Sequence, residues 1–122
     1  MLTRTIFITL LALGLTGVAN AQVTQEWVAA YNGSQDVEDH AYDIAADNSG
    51  NVYVTGSSYQ TGQLSDYTTI KYNAAGQIQW LDLYNGPGNS YDDASALTVD
   101  STGNVYITGG SDGIGFDCAT IK

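Results

Sequence analysis

An all-β fold is predicted by three observations. The chain repeats itself at an offset of 53 residues. No stretch after residue 21 carries a helical apolar period with caps. Short runs rich in Tyr, Val, Ile and Thr alternate instead with turns built from Asp, Asn and Gly.

The repeat is read directly. Trp27-Val28-Ala29-Ala30-Tyr31-Asn32-Gly33 recurs as Trp80-Leu81-Asp82-Leu83-Tyr84-Asn85-Gly86. Asp47-Asn48-Ser49-Gly50-Asn51-Val52-Tyr53-Val54-Thr55-Gly56 recurs as Asp100-Ser101-Thr102-Gly103-Asn104-Val105-Tyr106-Ile107-Thr108-Gly109. Asp66 and Thr69-Ile70-Lys71 recur as Asp117 and Thr120-Ile121-Lys122 at an offset of 51, so the loop after Ser111 is shorter by two residues than the loop after Ser58. Length changes confined to one connection are what a repeated structural unit allows.

Each element follows in order. Residues 26–31 match the last strand of the unit and are expected as a leading outer strand. Tyr42 to Asp47 forms a first strand, with Ile44 and Ala46 on one face, matched by Leu97 and Val99. Asn51 to Gly56 forms a second, rich in β-branched and aromatic residues. Asp66 to Asn73 forms a third and Gln77 to Tyr84 a fourth, the latter with Ile78, Trp80, Asp82 and Tyr84 on one face and Leu81 and Leu83 on the other. Apolar residues on both faces imply a sheet packed between neighbouring sheets. The turn Asp47-x-x-Gly50, repeated as Asp100-x-x-Gly103, joins the first two strands: its Asp accepts backbone amides and its Gly tolerates positive φ. Asn73-Ala74-Ala75-Gly76 joins the last two. A four-stranded antiparallel meander of about fifty residues has the size of a β-propeller blade.

Composition narrows the function classes. The chain has 122 residues, 43% of them hydrophobic, enough for one packed domain. Three Lys+Arg against 13 Asp+Glu give a formal net charge of −10, which disfavours nucleic acid and anionic membranes as partners. One Cys excludes an internal disulfide framework and a four-Cys zinc site. Residues 1–21 read as a signal peptide: Arg4 is the positive end, Ile6 to Val18 is mostly apolar, and Ala19-Asn20-Ala21 fits the cleavage pattern. The apolar run is too short to span a bilayer, which needs about 20 residues. Export to the medium or the cell surface is therefore expected, with residues 22–122 as the mature repeat domain.

The D-x-x-GNVYVTG core at 47–56 and its Ile-containing copy at 100–109, the TIKYN stretch at 69–73 and the W-x-x-x-YNG stretches at 27–33 and 80–86 resemble the bacterial seven-bladed β-propeller repeat family, the SBBP repeats. The resemblance covers essentially the whole mature chain. It implies an exported scaffold of bacterial surfaces, mostly without known activity. It also implies a ring, whereas the sequence holds one complete blade at 41–84, three strands of a second at 95–122 and the leading strand. A ring needs about four to eight blades. Two readings are open: a front fragment of a longer protein, or a short chain whose leading strand completes the blade of a neighbouring copy in a homo-oligomer.

The chemistry-bearing residues are few. His40 is expected as a solvated loop residue before the first strand, and Cys118, aligned with Tyr67, as a buried thiol. Asp36, Glu38, Asp39 and Asp43, with Asp92 and Asp93, offer hard oxygens to Ca2+, but their spacing is not that of an EF-hand, so a solvated acidic rim is the expectation and no cofactor is assigned. Asp47 and Asp100 are expected to stabilise turns. Trp27 and Trp80, with Tyr31 and Tyr84, are expected in packing between blades; their alternative is an aromatic platform for a sugar ring. Gly109 to Gly115 is expected as a loop between strands rather than a nucleotide loop, since no helix follows it. The function these features imply is a non-catalytic binding scaffold for an extracellular protein or glycan. The alternatives are a lectin ring of two-blade chains, and part of an extracellular hydrolase.

Overall fold

The computed structural model describes residues 24–61, 64–113 and 115–122. The signal-peptide reading of residues 1–21 lies outside them. Seven strands are arranged in two antiparallel sheets. The first holds β1 (Asp39–Ala46), β2 (Val52–Tyr59), β3 (Ser65–Tyr72) and β4 (Ile78–Tyr84), in the order β1-β2-β3-β4. The second holds β5 (Asp92–Val99), β6 (Val105–Asp112) and β7 (Phe116–Ile121), in the order β5-β6-β7. These are meanders of adjacent strands, as tight Asp/Asn-to-Gly turns dictate. The all-β fold of propeller blades in an open, incomplete ring is thus the architecture of the chain.

The registers repeat as the sequence does. Ile44 faces Val54 across β1–β2, and Leu97 faces Ile107 across β5–β6. Both inner strands carry a bulge at the same place, between Ala41 and Asp43 and between Ala94 and Ala96. The extra residue sharpens the local twist. β2 and β6 are longer than the sequence reading had them: Gly109 to Asp112 stay paired with β7, so the inter-strand loop is confined to 113–115.

The two sheets pack face to face. Tyr67 on β3, 1% exposed, inserts against Ala94 and Ile107 of the second sheet, with Tyr84, Leu97, Val105, Ala119 and Ile121 around them. This is the core of the molecule, and it lies between blades rather than within one.

Two expectations are corrected here. Residues 26–31 form no strand; a strand without a neighbour has no ladder to hold it, and the segment instead lies across the outer part of the first sheet. Cys118 is exposed rather than buried. It occupies the Tyr67 position, but β7 pairs only with β6 among the described residues, so nothing covers it.

Candidate functional site

The polar side chains of the repeat are built into two ends of each blade. At one end, Asp47 stands at the β1–β2 turn. Its Oδ1 accepts the N–H groups of Ser49 (2.8 Å) and Asn51 (3.0 Å). Its Oδ2 accepts Asn51 Nδ2 (2.7 Å) and Tyr53 Oη (3.0 Å). The Gly50 N–H closes the turn on the Asp47 carbonyl (3.1 Å), at a φ of 77° that a side chain would strain. Asp100 repeats the arrangement with Thr102, Asn104 and Tyr106, and Gly103 takes φ 85°. The Asn51 side-chain bond, assisted by backbone amides, holds the Asp47 carboxyl at about 2, below its usual range. Asn104 and Thr102 pull Asp100 down likewise. With four donors on Asp47 and five on Asp100, where the Thr102 hydroxyl adds one, these carboxylates are committed to the turn. The expected backbone amides are there; Asn51 and Tyr53 were not anticipated as partners, although their recurrence as Asn104 and Tyr106 was the available signal.

At the other end, Gly33 donates its N–H to Asp39 Oδ2 (2.7 Å), and Gly86 donates to Asp92 Oδ2 (2.7 Å). The Asn85-Gly86 step thus docks the outer strand β4 onto the inner strand β5 of the next blade, and Asn32-Gly33 docks the leading segment onto β1 in the same way. Asn32 Nδ2 donates to Asp36 Oδ1 at 2.8 Å. Asp43 reaches across the joint: its Oδ2 accepts the Leu97 N–H at 2.7 Å, satisfying an amide on the exposed edge of β5. Ser65 Oγ donates to Asp93 Oδ1 at 3.1 Å.

The acidic residues considered for Ca2+ are therefore dispersed on separate donors. Glu38 lies 3.5 Å from His40 Nε2. Among the described residues, no group of three or more His, Cys, Asp or Glu side chains converges as metal ligands. His40 lies on β1 rather than before it, exposed and stacked on Tyr42 at 5.8 Å.

Two buried carboxylates, Asp66 and Asp92, each keep one oxygen without a partner. Asp66 on β3 is 4% exposed and its Oδ1 finds no partner. Burial raises its pKa, and the charge of Asp92, itself fully buried, raises it further. The Tyr67 hydroxyl is also buried without a partner, and burial pushes its pKa up to about 12.

The aromatic candidates separate. The Trp27 ring lies 5.8 Å from Tyr72 and so close over Gly76 that a Cβ there would approach it to 2.7 Å. Trp80 is tilted against Tyr53 at 6.0 Å and is 37% exposed. Tyr84 packs on Tyr67 at 5.3 Å. Tyr31 lines a cavity of about 300 Å³ between the leading segment and the first sheet, with Ala41, Ile44, Val54 and Ile70. Trp27 lines the same cavity, so the four residues occupy three environments and form no single platform.

Comparison with known proteins agrees with this architecture. The beta-propeller repeat (SBBP) family profile matches residues 29–62 and 79–117, one segment in each copy. No curated protein and no solved structure matches the chain. With more than half of its residues inside the two matched repeats, the chain belongs to the beta-propeller repeat family.

Proposed function

We propose that the chain is an exported, non-catalytic propeller scaffold whose loops bind an extracellular protein or glycan. One observation carries this reading. Eight polar side chains that recur between copies, Asp39, Asp47, Asn51 and Tyr53 with Asp92, Asp100, Asn104 and Tyr106, are spent on turns and on the inner strands. A repeated group that stabilises its own backbone is a frame, and what varies between the copies is left for recognition. The varying parts are the loops at the Asp39 end. Ser34 bonds Gln60 and Thr61 across two loops, and Gln35 also bonds Thr61. In the second copy Ser90 bonds Asp112 instead, at 2.9 Å. Rigid elements carrying variable polar loops are a common basis for binding.

Export rests on the charge and apolar pattern of residues 1–21. Two measurements test the proposal. The extracellular product should begin at Gln22, and deletion of residues 1–21 should retain the protein in the cell. The purified protein, screened against glycan and surface-protein arrays, should show a ligand lost on Gln35→Ala with Thr61→Ala. Hydrolysis of a substrate by that same preparation, abolished by a single carboxylate substitution, would refute the non-catalytic reading.

A further inference from the structure

Three tyrosines gather at the Asp39 end of the joint between the sheets. Tyr42, on β1, is 54% exposed, and Tyr91, just before β5, is 43% exposed. Both neighbour Tyr59, half-buried at the end of β2, and so do Glu38 and Asp93: burial first, and then these four groups, raise the Tyr59 hydroxyl above its ordinary value. Asp93 is fixed there by Ser65, the partner of Tyr59 across β2–β3, whose hydroxyl donates to it at 3.1 Å. Glu38 is held by His40, whose Nε2 lies 3.5 Å away and whose ring stacks on Tyr42. Val37, Glu38 and Tyr59 line an open pocket of about 370 Å³. The blade does not require these residues. The second copy carries Ser95 and Asp112 where the first has Tyr42 and Tyr59. It closes its own end with a bond from Ser90, the equivalent of Val37, to Asp112 at 2.9 Å.

We propose that this patch of tyrosine faces rimmed by carboxylates seats a basic protein segment, which enters with a lysine or arginine side chain over the rings. Aromatic faces carry negative potential and attract an ammonium or guanidinium group, the more so beside a carboxylate. The chain uses the same chemistry on itself. Its two lysines among the described residues each sit over a tyrosine ring, Lys71 over Tyr53 at 5.1 Å and Lys122 over Tyr106 at 5.3 Å. Both are thereby placed away from Tyr42, Tyr59 and Tyr91, whose rings receive no lysine from the described residues. Charge selects the occupant. Thirteen Asp+Glu against three Lys+Arg favour the approach of a basic segment over an acidic one. An acidic glycan would be repelled, and a neutral one would leave the charges of Glu38 and Asp93 unanswered. The inference rests on the binding-scaffold reading and narrows its ligand to a basic segment of a protein.

The experiment is a fluorescence anisotropy titration of the purified full chain with a labelled peptide of alternating Lys and Gly, beside the same peptide acetylated on its lysines. The cationic peptide should bind and the acetylated one should not. Tyr42→Leu with Tyr91→Leu keeps apolar surface but removes two ring faces, and should weaken binding on the order of tenfold, whereas Tyr42→Phe with Tyr91→Phe should preserve it. Both positions are exposed enough to spare the fold, which an unchanged β-sheet circular dichroism spectrum checks. Glu38→Gln should weaken binding more than Asp82→Asn, which removes the same charge from β4. Equal binding by the wild type and the Leu pair overturns the proposal, since the attraction is then one of net charge alone. Equal binding of the acetylated peptide overturns it too. Tetramethylammonium binding as tightly as the peptide replaces the protein segment by a small organic cation. Failure to bind the peptide, in a protein that keeps a ligand sensitive to Gln35→Ala with Thr61→Ala, overturns this site and leaves the scaffold reading standing; absence of any ligand overturns both.

Discussion

Single carboxylates in this molecule oppose one another in their response to pH. Asp47 and Asp100 are held below the ordinary range by the side chains that bond them. Their contribution is present above the unfolded value, near 3.8, and is lost as pH falls through the folded one, about 2 for Asp47. Asp66 is raised, so its contribution is present below 3.8 and disappears as pH rises through its folded value. Asp47→Ala should lower the melting temperature at pH 7, with the difference from wild type shrinking toward pH 2. Asp66→Asn should raise it at pH 7 and leave it nearly unchanged at pH 3. Melts of both variants across that range check both signs. The turn Asp was legible because it repeats with its Gly; the discomfort of Asp66 was not, because it arises from burial and from the charge of Asp92, a residue of the other sheet.

Elements are joined by few, nameable contacts. The Leu97 amide on the edge of β5 is satisfied only because Asp43 crosses from β1. Asp43→Ala should cost about 1 kcal/mol, the loss expected of one hydrogen bond to a part-buried amide, measurable by urea denaturation. The leading segment is seated by Trp27 on Gly76, whose φ of 76° and lack of a side chain both permit the approach. Gly76→Val should free that segment, seen as a red-shifted tryptophan emission and faster proteolysis before Asn32. Strand identities were legible from alternation and turn residues, because those are local. That residues 26–31 form no ladder was not, because a strand depends on its neighbour as much as on its own sequence.

At the scale of the whole molecule, cohesion is concentrated at the joint. Tyr67 is the side chain on which the core of the two sheets closes. Tyr67→Ala should destabilise by about 3–5 kcal/mol, as removal of a buried aromatic does, and should uncouple the melts of the two blades. Calorimetry would show one transition becoming two. The all-β architecture followed from the repeat together with its β-branched and aromatic runs and its Asp/Asn-to-Gly turns, all of them local signals. The special weight of Tyr67 did not follow. In the sequence it is one of 9 tyrosines, and it aligns with a Cys in the other copy. Packing between repeats selects it.

The Asn32-Gly33 and Asn85-Gly86 steps bear on how the protein ages. Asn followed by Gly is the pair most prone to spontaneous deamidation, because the glycine nitrogen can attack the preceding side-chain amide and close a succinimide. Here each of those nitrogens is held 2.7 Å from a carboxylate, Asp39 or Asp92. A nitrogen so tethered must first let go before it can cyclise. These two tethers thus shield the Asn-Gly steps, and the chemical lifetime of the protein becomes a property of how firmly they hold.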